Sequence, residues 1–149
     1  MLGNITKKLR LLGYDSKFLP DIEDNNLLEI MRNEQRILIT KDKELAKKSE
    51  KQNLRAIFLT VNDESEQFLQ IKKEINLGNF AIKVNKTRCT LCNGELKLVE
   101  KNSVLEKVPD KVLKNTDKFW RCSSCSKIYW EGTHIKKLQD FVRRLNDKK

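Results

Sequence analysis

The sequence of 149 residues predicts an α/β fold joined to a small cysteine-rich module. Three observations support this prediction. In the first half of the chain, short apolar runs rich in β-branched residues alternate with helical patterns. The alternation breaks around Leu77-Gly78-Asn79. Beyond the break lie two CxxC pairs, Cys89-Thr-Leu-Cys92 and Cys122-Ser-Ser-Cys125. We therefore expect two domains, residues 1–79 and residues 80–149.

The elements of the first half follow from apolar spacing and from residues that begin or end helices. Asp24 and Asp42 stand where a side chain caps the first turn of a helix, and Gly13 ends the first helix. The apolar run 37–39 is typical of a buried parallel strand. In chain order we predict a helix at 5–12, a strand at 16–19, a helix from 24, a strand at 36–40, a helix from 42 to about 52, a strand at 56–59 and a helix from Asn62 or Asp63. This order implies right-handed crossovers.

All four cysteines of the chain belong to the two CxxC pairs. Two such turns supply the four thiolates of a tetrahedral Zn²⁺ site, although residues 93–121 form a longer gap than the commonest pattern. Disulfides are the alternative. The sequence shows no signal peptide and no apolar run that would span a membrane, so we expect a cytoplasmic protein with reduced thiols. We therefore predict a structural zinc ion bound by Cys89, Cys92, Cys122 and Cys125.

The second half is predicted to follow the order cysteine turn, hairpin, insertion, cysteine turn, hairpin and terminal helix. The insertion carries apolar residues between 104 and 113, which predict one or two short helical turns. Aromatic residues at 119–120 and 129–130 flank the second cysteine pair. We interpret them first as a small core, and the alternative is that one ring is exposed to stack on a base. The terminal helix places one apolar face along Ile135, Leu138, Val142 and Leu145.

Basic residues are concentrated in the second half of the chain. Residues 1–80 carry 14 Lys/Arg and 13 Asp/Glu, whereas residues 81–149 carry 17 Lys/Arg and 8 Asp/Glu, a net charge of +9. This asymmetry indicates a module that faces nucleic acid, and the alternative is a lysine-rich solvated surface. The candidate nucleic-acid contacts are Lys41, Arg121, Lys136, Lys137, Arg143 and Arg144. The last four of them form a stripe at heptad spacing on the terminal helix.

Candidate chemistry lies in carboxylates at one edge of the predicted parallel sheet, where open α/β sheets bind ligands. Asp42 follows one strand, Asp24 opens the helix before it, and Asp63 or Glu64 follows the next strand. Acids gathered there can hold Mg²⁺ or Mn²⁺, which activate water and neutralise the charge of a phosphodiester. Plain helix capping is the alternative for Asp24 and Asp42.

Four motifs in order carry a family resemblance. They are Met1-Leu2-Gly3 with Leu9-Arg10-Leu11-Leu12-Gly13-Tyr14-Asp15, then Ile37-Leu38-Ile39-Thr40-Lys41-Asp42, then Cys89-x-x-Cys92-Asn93-Gly94-x-Leu96, and last Phe119-Trp120-Arg121-Cys122-x-x-Cys125 with Tyr129-Trp130-x-Gly132-Thr133-His134. Together they resemble the Mut-seven C-terminal RNase domain family, a PIN-like fold with an appended zinc ribbon. The resemblance covers nearly the whole chain. It implies metal-dependent RNA cleavage by an acidic cluster in which Asp42 and Asp24 bind the metal, with Asp63 or Glu64 as a third acid.

The chain departs from the family pattern at two places. The resemblance implies a strand before Met1 that ends in a metal-binding acid, and this sequence begins after it. We expect either a gene start placed downstream of the true one or a truncated, inactive relative. Ser126 stands where the family usually has glycine after the second cysteine pair, which affects turn geometry.

The leading hypothesis is a ribonuclease that uses Mg²⁺ or Mn²⁺ and holds RNA with its zinc ribbon. The alternative is a catalytically inactive nucleic-acid-binding or adaptor protein whose α/β half is a scaffold. A third interpretation makes the ribbon a docking module for a protein partner. RNA is the expected partner in the first two hypotheses, and none of the three involves a membrane.

Overall fold

The computed structural model describes residues 2–83 and 85–148. By their internal contacts the described residues divide into two compact units. One is Phe18–Gly78, and the other combines Gly3–Lys17 with the described residues from Asn79 onward. This grouping differs from the predicted domains 1–79 and 80–149 in its first segment, because Gly3–Lys17 contacts the C-terminal residues. The division into domains stays a prediction.

Within the described residues the chain forms six α-helices, five β-strands and a 3₁₀ turn. They are α1 (Leu2–Leu11), α2 (Asp24–Glu34), β1 (Leu38–Thr40), α3 (Lys43–Lys51), β2 (Ala56–Phe58), α4 (Glu64–Glu74), β3 (Leu96–Val99), the 3₁₀ turn (Lys101–Val104), α5 (Asp110–Asn115), β4 (Phe119–Cys122), β5 (Ile128–Trp130) and α6 (Thr133–Asp147). None of the described helices is long and apolar enough to cross a membrane. The predicted mixture of helices and strands is confirmed.

The unit Phe18–Gly78 is an α/β layer built on two parallel strands. β1 pairs with β2 in the register Leu38↔Ala56 and Thr40↔Phe58, and α3 connects the two strands. Parallel strands need such a crossover, because a tight hairpin can join only antiparallel neighbours. Apolar side chains of the three helices are buried in this unit, namely Leu28, Met31, Leu45, Ala46, Phe68 and Ile71. The parallel arrangement predicted from the buried strand 36–40 is confirmed, with the strand shortened to Leu38–Thr40.

Two local predictions in this region are wrong. The brief strand expected at 16–19 is absent from the described residues, which have no regular structure there. The reason is that the N–H and C=O groups of Ser16 bind the side chains of Asn93 and Arg10 instead of another strand. Asp24 was expected to cap α2, but it is the first helical residue, and the N-cap is Glu23 with extended backbone.

In the second unit, β3, β4 and β5 form an antiparallel sheet in that order. Val104, Val108 and Phe119 form a buried core on one face of the sheet. Side chains from the strands and from α5 pack against it, namely Val99, Val112, Leu113, Ile128 and Trp130. The helical turns predicted in the insertion are confirmed, and the predicted aromatic core is confirmed for Phe119 and Trp130, whose ring centroids lie 6.4 Å apart.

The terminal helix α6 buries the apolar face predicted from its periodicity. Leu138, Val142 and Leu145 are buried, and Phe141 joins them although the pattern did not single it out. The Lys8 ammonium of α1 lies 4.7 Å from the Phe141 ring centroid. The side chain of Asn146 accepts from the backbone N–H of Phe80 and donates to its carbonyl, at 3.0 and 2.8 Å. Residues from both ends of the chain therefore contact each other in this unit.

Candidate functional site

The four cysteine side chains meet at the C-terminal end of β4. Their sulfur atoms all lie within 4.8 Å of one another, with 3.6 Å between Cys89 and Cys125 and 3.4 Å between Cys92 and Cys122. A disulfide bond would require about 2.05 Å, and all four cysteines are free. Sulfurs in a tetrahedral zinc site with Zn–S bonds of about 2.3 Å lie about 3.8 Å apart. The four thiolates therefore fit a zinc ion, and the cluster is what a zinc ribbon requires.

Both cysteine turns close in the same way. We call them the first knuckle (Cys89–Asn93) and the second knuckle (Cys122–Ser126). The N–H of Asn93 donates to the carbonyl of Cys89 at 2.9 Å, and the N–H of Ser126 donates to that of Cys122 at 3.0 Å. Asn93 and Ser126 both have left-handed backbone, with φ of 69° and 68°. This conformation explains why glycine suits the position after a CxxC pair.

Tyr129 connects β5 to the first knuckle, a role that sequence reasoning missed. Its hydroxyl lies 2.9 Å from the Cys89 sulfur and accepts from the N–H of Thr90 at 3.1 Å. Burial raises the pKa of Tyr129 to about 12, and its bond to Cys89 acts in the same direction. Burial also raises the pKa of Cys89, but hydrogen bonds from Tyr129 and from two backbone N–H groups outweigh it and lower the value to about 6. The lowered pKa favours the Cys89 thiolate, the form that binds metal, whereas burial and the contact with Cys122 raise the pKa of Cys92 to about 12.

Gly94 allows the two knuckles to approach each other. Its carbonyl accepts from the N–H of Cys89 at 2.8 Å. A Cβ atom at this position would lie 2.8 Å from both the Cys122 sulfur and the Ser124 hydroxyl oxygen. Real Cβ atoms do not come so close, so only glycine fits here without a shift of the second knuckle. Close packing against Cys122 and Ser124 therefore explains why glycine follows Asn93 in this motif.

Residues near the end of α1 form hydrogen bonds with the first knuckle. The guanidinium of Arg10, which is 8 % exposed, donates to the carbonyls of Ser16 and Thr90, both at 2.8 Å. The Asn93 side chain accepts from the N–H of Ser16 at 3.2 Å and donates to the Asp15 carboxylate at 2.6 Å. We call these hydrogen bonds of Arg10 and Asn93 the clamp, and the sequence pattern did not predict them. Its one visible signal was an arginine placed within the apolar run of α1.

Asp42 lies at the carboxyl end of β1. Its N–H donates to the Thr40 hydroxyl at 3.0 Å, which fixes the turn after the strand. Its side-chain Oδ1 accepts from the N–H groups of Glu44 and Leu45 at 3.0 and 3.2 Å. The predicted N-cap of α3 is therefore confirmed. Because the same oxygen makes both capping bonds, capping does not use Oδ2.

Asp63 and Glu64 follow β2 at the corresponding place. Asp63 is the N-cap of α4 and accepts from the N–H of Glu66 at 3.1 Å, and Glu64 is half-buried in the first turn. The Gln70 side chain donates to the carbonyl of Phe58 at 2.7 Å. This bond ties the end of β2 to the middle of α4.

Asp24 lies in the first turn of α2. Lys48 of α3 donates to the Asn25 side chain at 2.9 Å, and Arg32 donates to that of Gln52 at 2.7 Å. The first bond places the start of α2 beside Lys48, six positions beyond Asp42. Neither bond joins Asp24 to Asp42, so their convergence stays a prediction.

The four acids do not form a closed metal site. Across residues 2–83 and 85–148, the cysteine cluster is the one group of three or more His, Cys, Asp or Glu close enough to hold a metal ion. The assignment of Asp24, Asp42, Asp63 and Glu64 to a catalytic Mg²⁺ or Mn²⁺ therefore stays a prediction.

The predicted nucleic-acid contacts have different surroundings. The four basic candidates on α6 are exposed, and Arg143 lies 3.3 Å from the Asp140 carboxylate. Arg121 is half-buried and donates to the carbonyl of Ser103 at 3.3 Å, with its Nε atom buried and without a hydrogen bond. Lys41 is half-buried beside Asp42. The candidates exposed on α6 are Lys136, Lys137, Arg143 and Arg144.

Comparison with known proteins identified a family. A sequence model described as the Mut7-C RNAse domain matches residues 1–142. Searches of curated proteins and of solved structures gave no significant match. The matched region includes the unit Phe18–Gly78, the other unit up to residue 142, the four cysteines and the four candidate acids.

Proposed function

The chain belongs to the Mut7-C RNAse domain family, and from this premise we propose that it hydrolyses RNA phosphodiester bonds with Mg²⁺ or Mn²⁺. The observation that supports the proposal is the pair of acids that follow the parallel strands at their carboxyl-end edge. Asp42 caps α3 after β1 and Asp63 caps α4 after β2, while Asp24 opens α2. Ligands bind at this edge of parallel sheets, since loops and helix N-termini converge there.

The proposed roles follow from these positions. Asp42 and Asp24 would bind the metal, with Asp63 or Glu64 as the third acid, and Lys41 would contact a phosphate. When bound, the ion lowers the pKa of water and neutralises phosphate charge. The Thr40 hydroxyl fixes the backbone of Asp42, and the capping bonds fix its carboxylate. The side chain thus has one defined orientation before RNA arrives.

In this proposal the C-terminal unit holds the RNA. Its zinc ribbon is stabilised by Cys89, Cys92, Cys122 and Cys125, and residues 81–149 carry a net charge of +9. The exposed basic stripe of α6, from Lys136 to Arg144, is suited to phosphate contacts. Such contacts add affinity without sequence preference and weaken as salt rises.

The decisive experiment compares RNA cleavage by wild type and Asp42→Asn with Mn²⁺. Asparagine also caps helices well, so the variant should keep α3 while losing a charged metal ligand. We expect activity to fall by roughly 100-fold or more, the scale of several kcal/mol of metal-derived stabilisation. The matched control is Asp110→Asn, which makes the same change to an acid in the first turn of α5 within the ribbon. Equal activity of Asp42→Asn and wild type would refute the catalytic assignment.

The second candidate function is a nucleic-acid-binding or adaptor protein without catalysis. Two observations favour it, namely the +9 charge of residues 81–149 and the lack of a closed acidic metal site among the described residues. RNA affinity that falls steeply with salt, without metal-dependent turnover, would support it. Capture of a protein partner with no RNA binding would instead support a docking module.

A further inference from the structure

The sheet of the ribbon has two different faces. Side chains alternate between the faces along each strand. Phe119, Val99 and Trp130 point to the face covered by the insertion. We call the opposite side the open face and define it by Leu96, Leu98, Trp120 and Tyr129. None of these four side chains belongs to the covered core.

The open face carries a continuous row of large side chains across all three strands. Leu98 of β3 is paired with Trp120 of β4, and Trp120 is paired with Tyr129 of β5. Leu98 is 66 % exposed, and Trp120 and Tyr129 are each partly exposed. A leucine this exposed beside a tryptophan is an apolar surface that the described part of the chain leaves open to solvent.

Basic groups lie beside this row. The Lys127 ammonium is 5.0 Å from the centroid of the Tyr129 ring. Lys118 is exposed and lies two residues before Trp120, just outside the start of β4. The hydroxyl of Tyr129 is held by Cys89 and Thr90, which fixes its ring relative to the first knuckle. The open face is therefore an aromatic row on a fixed strand with cations at its margin.

We propose that the open face binds unpaired bases of single-stranded RNA by stacking on Trp120. Aromatic side chains accept any base on their π-face, and neighbouring lysines neutralise the phosphates. This inference rests on the proposed function, and it adds that the RNA must be unpaired where it meets the ribbon.

The size and charge of the open face favour RNA over a protein partner. Three strands span about 10 Å at roughly 4.8 Å between neighbours, which suits one or two bases. A stable protein interface needs about 800 Å² on each partner, far more than three side chains provide. The net charge of +9 in residues 81–149 also complements a polyanion.

The test measures binding of a fluorescein-labelled, 12-nucleotide single-stranded RNA to the zinc-loaded full chain by anisotropy, without added Mg²⁺ or Mn²⁺. We expect Trp120→Ala to weaken binding about 5- to 100-fold, the range found for loss of one stacked base. Trp120→Phe should stay within about threefold of wild type, since it keeps a ring. The matched control is Trp130→Phe on the covered face, which should bind like wild type.

Two further measurements keep the proposal falsifiable if Trp120→Ala loses zinc or fold. Trp130→Phe leaves Trp120 as the single tryptophan, and saturating RNA should quench its fluorescence. Leu98→Glu changes an exposed side chain, so it should keep its zinc and bind RNA more weakly. Unchanged Trp120 fluorescence at saturation would overturn the proposal. So would wild-type affinity in a folded Trp120→Ala variant, or a protein partner that requires Leu98 and Trp120 while RNA binding does not.

The outcomes separate this inference from the proposed nuclease activity. Asp110→Asn should bind the single strand like wild type, since Asp110 lies in α5 and is not part of the open face. If wild type does not cleave RNA but Trp120→Ala still weakens binding, the stacking surface stands and the nuclease proposal fails. If cleavage depends on Asp42 but Trp120→Ala binds and cleaves normally, only the stacking surface fails.

Discussion

At the scale of single residues, the metal centre depends on neighbours that are not ligands. Tyr129 donates toward the Cys89 sulfur, and Gly94 permits close approach of the Cys122 sulfur. Partners of this kind orient metal ligands, and their loss commonly costs 10- to 100-fold in affinity, as an order of magnitude. The ribbon is therefore sensitive to changes that leave all four cysteines in place.

Gly94→Ala should weaken zinc binding by roughly 10-fold or more. The added Cβ would lie 2.8 Å from the Cys122 sulfur, so the second knuckle must shift and the tetrahedral geometry is lost. Competition with a chromogenic chelator measures the affinity. The control is Gly78→Ala, where an added Cβ meets nothing within 4 Å. Wild-type affinity in Gly94→Ala would show that the knuckles tolerate this displacement.

Ser126→Gly should stabilise the ribbon by about 0.5–1 kcal/mol. Left-handed backbone at φ 68° costs a non-glycine residue about 1–2 kcal/mol, partly offset by the greater freedom of glycine in the unfolded chain. Thermal or urea unfolding of the zinc-loaded protein measures the change. Ser126→Ala removes the same hydroxyl but keeps the Cβ, so it should give no gain. Equal stability of the two variants would mean that the backbone is not strained here.

At the scale of elements, α1 and the first knuckle form one hydrogen-bonded assembly. The Arg10 guanidinium donates to the carbonyls of both Ser16 and Thr90. The backbone carbonyl of Arg10 accepts from the N–H of Arg88 at 2.8 Å. The Thr87 hydroxyl donates to the carbonyl of Leu11 at 3.1 Å. A helix from the start of the chain thus supports a metal ligand loop some 80 residues later.

Arg10→Ala should destabilise the C-terminal unit by about 2–4 kcal/mol. The change removes two charge-assisted bonds and leaves two carbonyls without their donor, and each such bond contributes about 1.5–3 kcal/mol with losses that are not additive. Urea unfolding with zinc present measures the effect. Arg32→Ala provides the control, because Arg32 makes an exposed bond to Gln52 in the other unit. A loss no larger than that of Arg32→Ala would contradict the clamp.

Most elements could be predicted because their signals are local. Apolar periodicity and the capping residues Asp42 and Asp63 predicted α3 and α4, and both caps are present. The strand expected at 16–19 failed because Ser16 bonds to Arg10 and Asn93, and Asn93 lies 77 positions away. A hydrogen-bond partner so far away in the sequence does not change the residue pattern around Ser16, so that pattern could not reveal it.

At the scale of the whole molecule, the α/β unit and the ribbon sheet depend on different forces. The unit Phe18–Gly78 buries side chains from three helices against two strands. The covered core of the ribbon has three buried members, Val104, Val108 and Phe119, with partly buried neighbours. So small a core supplies little stability by itself, and metal binding contributes to folding.

Removal of zinc should therefore unfold residues 89–134 while leaving the α/β unit protected. Amide hydrogen exchange measures both regions at once, and the β1–β2 pair serves as the internal control. Cys89→Ser should give the same pattern at lower zinc affinity. Native exchange throughout 89–134 after complete removal of zinc would refute this expectation.

The candidate sites differ in how far the sequence could reveal them. The four cysteines were predicted in full, because CxxC spacing alone places two thiolates on one turn. The acids could be placed at an edge, but their mutual distances depend on how α2 and α4 sit against the strands. Arg10 and Tyr129 were missed as supports of the metal centre, since their partners lie 80 and 40 positions away.

The gap between the knuckles has a consequence for how the ribbon can vary. An ion bound by both Cys92 and Cys122 would act as a cross-link that closes a loop of 30 positions. By the chain-entropy relation used for disulfides, closing a loop of this length stabilises the folded state by about 3–4 kcal/mol. Doubling the loop changes the closure term by only about 0.6 kcal/mol. Relatives can therefore lengthen or shorten the insertion widely, provided that the residues covering the sheet are kept.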